Sequence, residues 1–248
     1  MRVGAQVQAL SWGFAAGERL IHVVAAAVID ATGRVLIAQR PAGKHMAGGW
    51  EFPGGKLESG EERLAGLARE LREELGISIT GIPRPLIRVR HAYPSREVLL
   101  DIWVVTRYSG EARGLDGQAL RWCTQDELEA AELLPADRPI VRALRLPERL
   151  TEVASRYYCV GDLSSVGRSV AVADADNVPR LRGVFCASAE DGSAAVRAAA
   201  DFLVMRDVVA DEELEALCGM VSVPVYALGV GLEKAWALGV SGVSEICV

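Results

Sequence analysis

The feature that most constrains this chain is a glycine-rich loop, residues 48–55, followed by an acidic helix. The loop reads Gly48-Gly49-Trp50-Glu51-Phe52-Pro53-Gly54-Gly55 and is too rich in Gly and Pro for a regular element. We therefore expect its backbone to approach another group closely. The helix is predicted to begin at the capping box Ser59-Gly60-Glu61-Glu62 and to end at Gly76, which suits a left-handed C′ residue.

Apolar residues on this helix recur at helical spacing and predict a single stripe that faces the core. The stripe consists of Leu64, Leu67, Ala68, Leu71 and Leu75.

Three glutamates of the same helix, Glu70, Glu73 and Glu74, stand at i, i+3 and i+4, so they share one side, and Glu61 lies near the helix start. No lysine at matching spacing relieves their repulsion, so we expect a cation there. A solvated acidic face is the alternative. Mg²⁺ prefers carboxylate oxygens and completes its octahedron with substrate phosphates and water.

The spacing Gly55-x5-Glu61-x7-Arg69-Glu70-Leu71-x-Glu73-Glu74-x-Gly76-Ile77 resembles the Nudix box at every specified position. The resemblance covers residues 21–146 and implies a loop-helix-loop that holds Mg²⁺ or Mn²⁺ and cleaves a nucleoside diphosphate linked to another moiety. It implies that Glu73 and Glu74 are the main metal ligands, assisted by the Gly54 carbonyl. Glu70 is implied as a ligand or general base, and Arg69 as a charged brace for the glutamates; which glutamate is the base stays open.

The chemistry is consistent with these residue types. Water that attacks a pyrophosphate must approach negatively charged oxygens. A bound metal neutralises part of this charge and lowers the pKa of its bound water, so it both reduces the repulsion and provides the nucleophile. A further carboxylate can accept the proton.

Two further segments, 39–56 and 134–141, resemble the MutT group of this family, the 8-oxo-dGTP diphosphatases. This resemblance assigns Arg40 to the nucleotide and its phosphates, Phe52 to the base through its backbone, and Lys56 to the phosphates. His45 is placed in the substrate loop, and Asp116 is implied as an additional metal ligand.

Asp137 departs from the MutT pattern, which has an asparagine there to hydrogen-bond the purine. An amide both donates and accepts, whereas an ionised carboxylate only accepts. Guanine N1–H and its exocyclic amine could still donate hydrogen bonds to Asp137. The departure therefore affects mainly the discrimination between 8-oxoguanine and guanine. The alternative role is a helix N-cap before Arg138-Pro139.

The pattern of elements predicts two domains after a loose leader, residues 1–20. Residues 21–147 predict an α+β Nudix fold with a mixed sheet and flanking helices. It starts with a hairpin of strands 21–29 and 34–39 and continues with strands 85–90, 98–106 and 117–122 and helices 126–131 and 136–144.

Residues 151–248 alternate short apolar runs with helix-prone stretches and predict βα repeats around a parallel sheet. The segments 223–231, 237–243 and 201–205 resemble thiamine phosphate synthase-like barrels, in which a Gly-rich turn binds phosphate. A complete eight-stranded barrel needs about 200 residues or more. We therefore expect a reduced domain like a partial TIM barrel, without synthase activity because no acidic pair for its metal is evident.

Composition excludes several classes of function. The formal charge of −6, with +1 in residues 1–150 (20 basic, 19 acidic) and −7 in residues 151–248 (7 basic, 14 acidic), argues against direct nucleic-acid binding. No apolar run is long enough for a membrane span, and residues 1–20 are too polar for a signal peptide. Five scattered cysteines without a Cys-x-x-Cys pair favour a reducing cytoplasm. The oligomeric state has no sequence signal.

Together these patterns predict a cytoplasmic, Mg²⁺-dependent enzyme that converts 8-oxo-dGTP to 8-oxo-dGMP and diphosphate and so prevents mutation during DNA replication. Two alternatives stay open. One is a Nudix hydrolase of another nucleotide, and the other is a nucleotide-binding regulatory module with a degenerate C-terminal domain.

Overall fold

The computed structural model describes residues 20–94, 96–147, 149–150, 157–163, 167–173, 179–205 and 209–244. The predicted leader lies outside these residues, except Leu20, which begins the first strand. No helix among the described residues is long and apolar enough to cross a membrane.

The first part of the chain contains nine strands and three helices among its described residues. In chain order they are β1 Leu20–Val28, β2 Val35–Gln39, β3 Trp50–Glu51, β4 Gly54–Lys56, α1 Arg63–Leu75, β5 Ser78–Ile79, β6 Arg84–Tyr93, β7 Arg96–Val105, β8 Tyr108–Ser109, β9 Leu120–Cys123, α2 Gln125–Ala130 and α3 Arg138–Ala143.

A mixed sheet forms the centre of this part, as the sequence predicts. Its strand order is β4-β1-β7-β6, with β1 parallel to β7 and the outer pairs antiparallel. A smaller sheet, β3-β2-β9, lies beside it. The leucines of α1 pack on one face of the mixed sheet, and the other face contributes to the cluster that contains α2 and α3.

The predicted hairpin of the first two strands is wrong. The turn forms, with Gly33 at φ 82° and the Asp30 carboxylate accepting the Thr32 N–H. Beyond a single bridge between Ile29 and Val35, however, β1 and β2 belong to different sheets. The buried second half of β1 pairs with β7 and β4 instead, because local turn chemistry fixes a reversal of the chain but not the partners of a central strand.

The predicted capping box at the start of α1 is also wrong. Gly60 has a left-handed φ of 77°, which cannot belong to a first helical turn, so the helix begins three residues later, at Arg63. Leu64 then lies in the first turn and is 41% exposed, whereas Leu67, Leu71 and Leu75 are fully buried. The predicted end is confirmed: Gly76 is left-handed at φ 68°, and its N–H donates to the Arg72 carbonyl.

The second part of the chain forms one seven-stranded sheet. Its elements are β10 Arg149–Leu150, β11 Tyr157–Leu163, β12 Gly167–Ala173, β13 Pro179–Cys186, α4 Ala189–Arg197, β14 Phe202–Met205, α5 Asp211–Met220, β15 Val225–Leu228, α6 Leu232–Ala237 and β16 Gly242–Ser244. The strand order is β10-β16-β15-β14-β13-β12-β11. Strands β13 to β16 are parallel neighbours joined by helices, which confirms the predicted parallel sheet for these strands. The prediction is wrong for β11 and β12, which pair antiparallel with each other and with β13, because the segments between these strands are too short for the helical crossover that parallel neighbours need.

This second part packs on β6, the edge strand of the mixed sheet. The Ser241 hydroxyl donates to the Leu86 carbonyl at 2.6 Å, and the Arg90 N–H donates to the Ser222 hydroxyl at 3.1 Å. Arg84 donates to the Ser241 carbonyl at 3.3 Å. The C-terminal part of the chain thus supplies hydrogen-bond partners to polar groups of this sheet edge.

Candidate active site

Two glutamates of α1 meet the glycine-rich loop where β4 crosses the helix. The Gly54 N–H donates to Oε2 of Glu74 at 3.3 Å, and the Glu70 carboxyl lies against the Gly55 Cα. A Cβ at Gly55 would overlap that carboxyl, and a Cβ at Gly54, whose φ is 150°, would overlap the Val24 carbonyl. The close backbone approach predicted for this loop is therefore confirmed, and its partners are these carboxylates and β1.

Arg69 connects the acidic residues of the predicted box. Its Nε and Nη2 donate to the Glu61 carboxylate, both at 2.8 Å, and its Nη1 donates to Glu70 at 2.9 Å and Glu73 at 3.2 Å. The hydrogen bonds from Arg69 to Glu61 are the main reason that the pKa of Glu61 is held at about 2. The guanidinium supplies the cation that the glutamate spacing requires, and it has the contacts that a brace needs.

Glu74 differs from the other glutamates because it is largely buried. Burial raises its pKa to about 7; the nearby Glu70 and Glu51 charges add to this, and the Gly54 hydrogen bond opposes it. Glu73, by contrast, is 60% exposed and does not line the cavity described below. Of the two residues expected as main ligands, the structure brings only Glu74 to the cavity, next to Glu70.

Asp137 also lines this cavity, and it is 3% exposed. It occupies the N-cap position of α3 but makes no side-chain capping bond; instead its Oδ1 accepts the Phe52 N–H at 3.2 Å. Burial raises its pKa to about 8, with a further increase from Glu51 and an opposing effect of the Phe52 hydrogen bond. Asp137 is thus largely a neutral acid at pH 7, with one O–H donor and one free acceptor.

Arg40 and Glu51 form an ion pair, and both residues line the same cavity as Glu74 and Asp137. The charge of Glu51 raises the pKa of both Glu74 and Asp137, which places it electrostatically near each of them. Glu51 itself has a raised pKa because its burial outweighs the effect of Arg40. Sequence reasoning assigned Arg40 but missed Glu51; the signal was an acid inside an otherwise Gly- and aromatic-rich loop.

One cavity of about 570 Å³ is lined by Arg40, Glu51, Glu70, Glu74 and Asp137. Cations from several elements face the same space, namely Arg40, Lys44, Lys56 and Arg96. Its apolar walls come from β1 and β7, from Phe52, and from Leu134 and Ala136. A cavity with carboxylates, cations and an apolar wall suits a ligand with a polyanionic end and a flat, partly apolar end.

An aromatic group that the sequence did not reveal forms one side of the cavity mouth. Tyr93, at the end of β6, lies edge-on to His45 at 6.0 Å and to His91 at 4.4 Å between ring centroids. The Arg96 guanidinium lies 5.8 Å from the Tyr93 ring centre. His45 is thus at the cavity, as expected for a substrate-loop residue. Tyr93 and Arg96 lacked a recognisable motif because the fold of the β6–β7 turn brings them there.

Asp116 is the predicted ligand that the structure does not bring to the site. It is exposed and absent from the cavity wall. Its turn is held behind the end of α1, because the Leu115 N–H and the Gln118 amide both donate to the Glu74 carbonyl, at 2.9 and 3.0 Å.

A divalent ion fits the residues that remain. Among the described residues, no three His, Cys, Asp or Glu side chains converge as a ready-made metal site. Mg²⁺ commonly takes only one or two protein carboxylates and fills its other positions with phosphate and water. Glu74, a buried carboxylate near Glu70 and Glu51, would gain from a cation, so Glu70, Glu74 and the Gly54 carbonyl are suitable donors.

Comparison with known proteins agrees with this geometry. A family model described as the NUDIX domain matches residues 24–143. The chain is 41% identical over 125 residues to a protein named CTP pyrophosphohydrolase from Escherichia coli, covering 50% of this chain and 91% of that protein. The chain belongs to the Nudix family. The Nudix match ends within α3, so it does not extend to the C-terminal sheet.

Other Nudix relatives carry a different name. The chain is 43% identical over 94 residues to an 8-oxo-dGTP diphosphatase of Proteus vulgaris, covering 38% of this chain and 83% of that protein. Among solved structures, that of the E. coli ORF135 protein is 38% identical, with a TM-score of 0.48, covering 54% of this chain and 94% of that one. Nudix hydrolases use a divalent metal such as Mg²⁺ and act on nucleotides.

Proposed function

We propose that this chain is a Mg²⁺- or Mn²⁺-dependent nucleoside triphosphate pyrophosphohydrolase that releases a nucleoside monophosphate and diphosphate. The observation that carries the proposal is a cavity lined by both Glu70 and Glu74 and the cations Arg40, Lys44 and Lys56. The carboxylates suit a metal, and the cations suit the phosphates that the metal would share.

Each residue has a distinct part in this reaction. A bound divalent ion supplies charge neutralisation and an acidified water. Arg40, Lys44 and Lys56 bind phosphate oxygens, and Arg69 fixes the directions of the Glu70 and Glu73 carboxylates. A carboxylate of the Glu70, Glu73 and Glu74 group accepts the proton of the attacking water.

For the base we propose 8-oxoguanine, so that the reaction is 8-oxo-dGTP and water to 8-oxo-dGMP and diphosphate. The 8-oxo base carries an N7–H donor beside its O6 acceptor. Neutral Asp137 offers the matching acceptor and O–H donor, so it can make the same pair of hydrogen bonds as an asparagine amide. A neutral Asp137 therefore keeps the hydrogen-bond donor that an ionised carboxylate at this position would lack.

Cytosine is the second candidate base, favoured by the 41% identical relative named CTP pyrophosphohydrolase. Its N3 acceptor and N4 amine donor form a pair that neutral Asp137 matches equally well. The hydrogen-bond pattern therefore does not distinguish 8-oxoguanine from cytosine. The two bases differ in size, so their fit to the cavity must determine which one is preferred.

The experiment that separates them compares kcat/KM for 8-oxo-dGTP, dGTP, CTP and dCTP with the full chain and Mg²⁺. The proposal predicts that 8-oxo-dGTP exceeds dGTP by at least about 100-fold, since a site that pairs with a specific donor discriminates strongly against a base without it. Preference for CTP or dCTP would favour the second candidate. No hydrolysis of any of the four would favour a nucleotide-binding regulatory module.

We further propose that the domain boundaries are 21–147 and 151–248, and that the second domain is a reduced relative of thiamine phosphate synthase-like barrels without synthase activity. The proposed lack of activity rests on the sequence, which has no evident acidic pair for the metal of that reaction.

The cellular role we propose is removal of oxidised nucleotides in the cytoplasm, which prevents their incorporation during DNA replication. Cys123, Cys186 and Cys218 are free, which suits a reducing compartment. The charge of −7 on residues 151–248 speaks against direct contact with nucleic acid.

A further inference from the structure

The catalytic helix α1 begins without a cap of its own. Glu62, at the N-cap position, makes no side-chain capping bond, and the first turn contains no acidic residue. The first helical residue is Arg63, a cation at the end of the helix that carries partial positive charge. The placement of this helix end must therefore be fixed from outside the helix.

Asp101 of β7 supplies that fixed point. Its carboxylate is 2% exposed, and its Oδ2 accepts a hydrogen bond from Nη1 of Arg63 at 3.1 Å. The Arg63 guanidinium also lies 5.5 Å from the ring centre of Trp103, two residues further along the same strand. Both contacts tie the start of α1 to β7.

The other oxygen of Asp101 faces a residue that reaches the C-terminal part of the chain. Oδ1 lies 3.6 Å from Nε of Arg88, on the neighbouring strand β6. Nη1 of Arg88 lies 3.7 Å from where a Cβ on Gly219 would be, and Nη2 lies 3.4 Å from that of Gly239. Gly219 is in the last turn of α5, and Gly239 follows α6. Helix ends of this kind carry partial negative charge and attract a guanidinium.

We propose that Asp101 is a positioning residue that couples the C-terminal part of the chain to the catalytic helix. One carboxylate oxygen holds Arg63 and therefore α1, and the other faces Arg88, whose guanidinium lies beside Gly219 of α5 and Gly239 after α6. This inference rests on the proposed function in that α1 carries Glu70 and Glu74, and it goes beyond it by giving the C-terminal part a role in the reaction.

The burial of the carboxylate makes the coupling effective. At 2% exposure, Asp101 depends on its protein partners, because little water can compensate its charge. Those partners are Arg63, Arg88 and His22, whose Nε2 lies 3.7 Å from Oδ2. If Arg88 is drawn away, the remaining partners must readjust around the carboxylate, and Arg63 moves with α1.

The first test removes the link on the helix side. Arg63→Met keeps an apolar stem over Trp103 but loses the charge, and Arg72→Met removes an exposed arginine from the same helix as a matched control. We expect Arg63→Met to lower kcat about tenfold and to raise the Mg²⁺ concentration for half-maximal rate, with KM for the nucleotide within about twofold, because small misplacements of catalytic groups are costly. Arg63→Lys should restore part of kcat. Equal kinetics for Arg63→Met and Arg72→Met would overturn the proposal.

The second test acts from the C-terminal side alone. Gly219→Glu places a carboxylate beside Arg88, where it competes with Asp101, while Met220→Glu adds the same charge at the next, 58% exposed residue of α5. Gly219→Glu should lower kcat about threefold or more, Met220→Glu should not, and in an Arg88→Met background Gly219→Glu should have no further effect. The same effect for both glutamates would contradict the coupling.

Hydrogen exchange of the backbone amides of α1 distinguishes failure of this inference from failure of the proposed function, because it needs no turnover. Faster exchange in α1 for Arg63→Met and Gly219→Glu than for Arg72→Met and Met220→Glu supports the coupling, even if wild-type protein hydrolyses none of the nucleotides. Unchanged exchange in α1 in both test variants would overturn it, even if the enzyme is active.

Discussion

The Phe52 N–H donates to Oδ1 of Asp137 across 3.2 Å, and each of the two residues is 3% exposed. This bond joins the glycine-rich loop to the start of α3, two segments that are 85 residues apart in the chain. Both residues also line the cavity. The protonation of the Asp137 carboxyl therefore affects stability and, under the proposed function, base recognition.

The first prediction concerns the stability of Asp137→Asn. The pKa of Asp137 rises from 3.8 in the unfolded chain to about 8 in the folded protein, so the folded state binds more protons than the unfolded state between these values. Stability therefore falls as pH rises from about 4 to about 8. Asparagine keeps an acceptor for Phe52 without this penalty, so Asp137→Asn should be more stable than wild type at pH 8, with the difference shrinking towards pH 5. Urea unfolding at both pH values measures this, and a pH-independent difference would contradict it.

The second prediction concerns the pH dependence of base recognition. Above pH 8 Asp137 ionises and loses its O–H donor, so wild-type kcat/KM for 8-oxo-dGTP should fall there. Asp137→Asn has a permanent donor and should lack that decrease. The ratio of the two pH profiles isolates Asp137 from other titrating groups, and a ratio that is constant from pH 6 to 9 would exclude a neutral Asp137 as the base-reading group.

The third prediction concerns Glu74→Gln. The amide keeps the size of the side chain but loses the charge that would hold a metal, so kcat should fall by about 100-fold or more while the protein stays folded. Glu132→Gln, at an exposed residue outside the cavity wall, is the matched control and should retain wild-type activity. Circular dichroism of both variants checks folding. A Glu74→Gln variant with more than about half of wild-type activity would remove this residue from the mechanism.

The fourth prediction compares two leucines of α1. Leu71 is fully buried against the mixed sheet, so Leu71→Ala should lower the free energy of unfolding by about 2–5 kcal/mol. Leu64 is 41% exposed and lies in the first turn, so Leu64→Ala should cost less than about 1 kcal/mol. Denaturant unfolding of the two variants tests the placement of the helix, and equal losses would contradict it.

How far the sequence predicts this structure depends on whether a feature is local. The end of α1 at Gly76 and the close approach at Gly55 follow from residue types at fixed spacing, and both are present. The predicted start of α1 is wrong because Gly60, which lies inside the predicted capping box, has a left-handed backbone that a helical turn does not allow. The pairing of β1 with β7, in which each residue pairs with the one 77 positions later, has no local signal.

The candidate site divides in the same way. Glu70, Glu74 and Arg40 could be selected from motif spacing, whereas Tyr93 and Arg96 are brought to the cavity by a turn between two long strands. Asp101 had no motif at all, because its importance arises from two arginines and a histidine on separate elements that meet at one buried carboxylate.

The most direct test of the account is the reaction of the full chain with 8-oxo-dGTP, with Mg²⁺ and then with excess chelator, while nucleoside monophosphate and diphosphate are both quantified. We expect equal amounts of the two products with Mg²⁺, loss of turnover on chelation, and recovery when Mg²⁺ or Mn²⁺ is restored. Release of single phosphates, or turnover that persists in chelator, would contradict it.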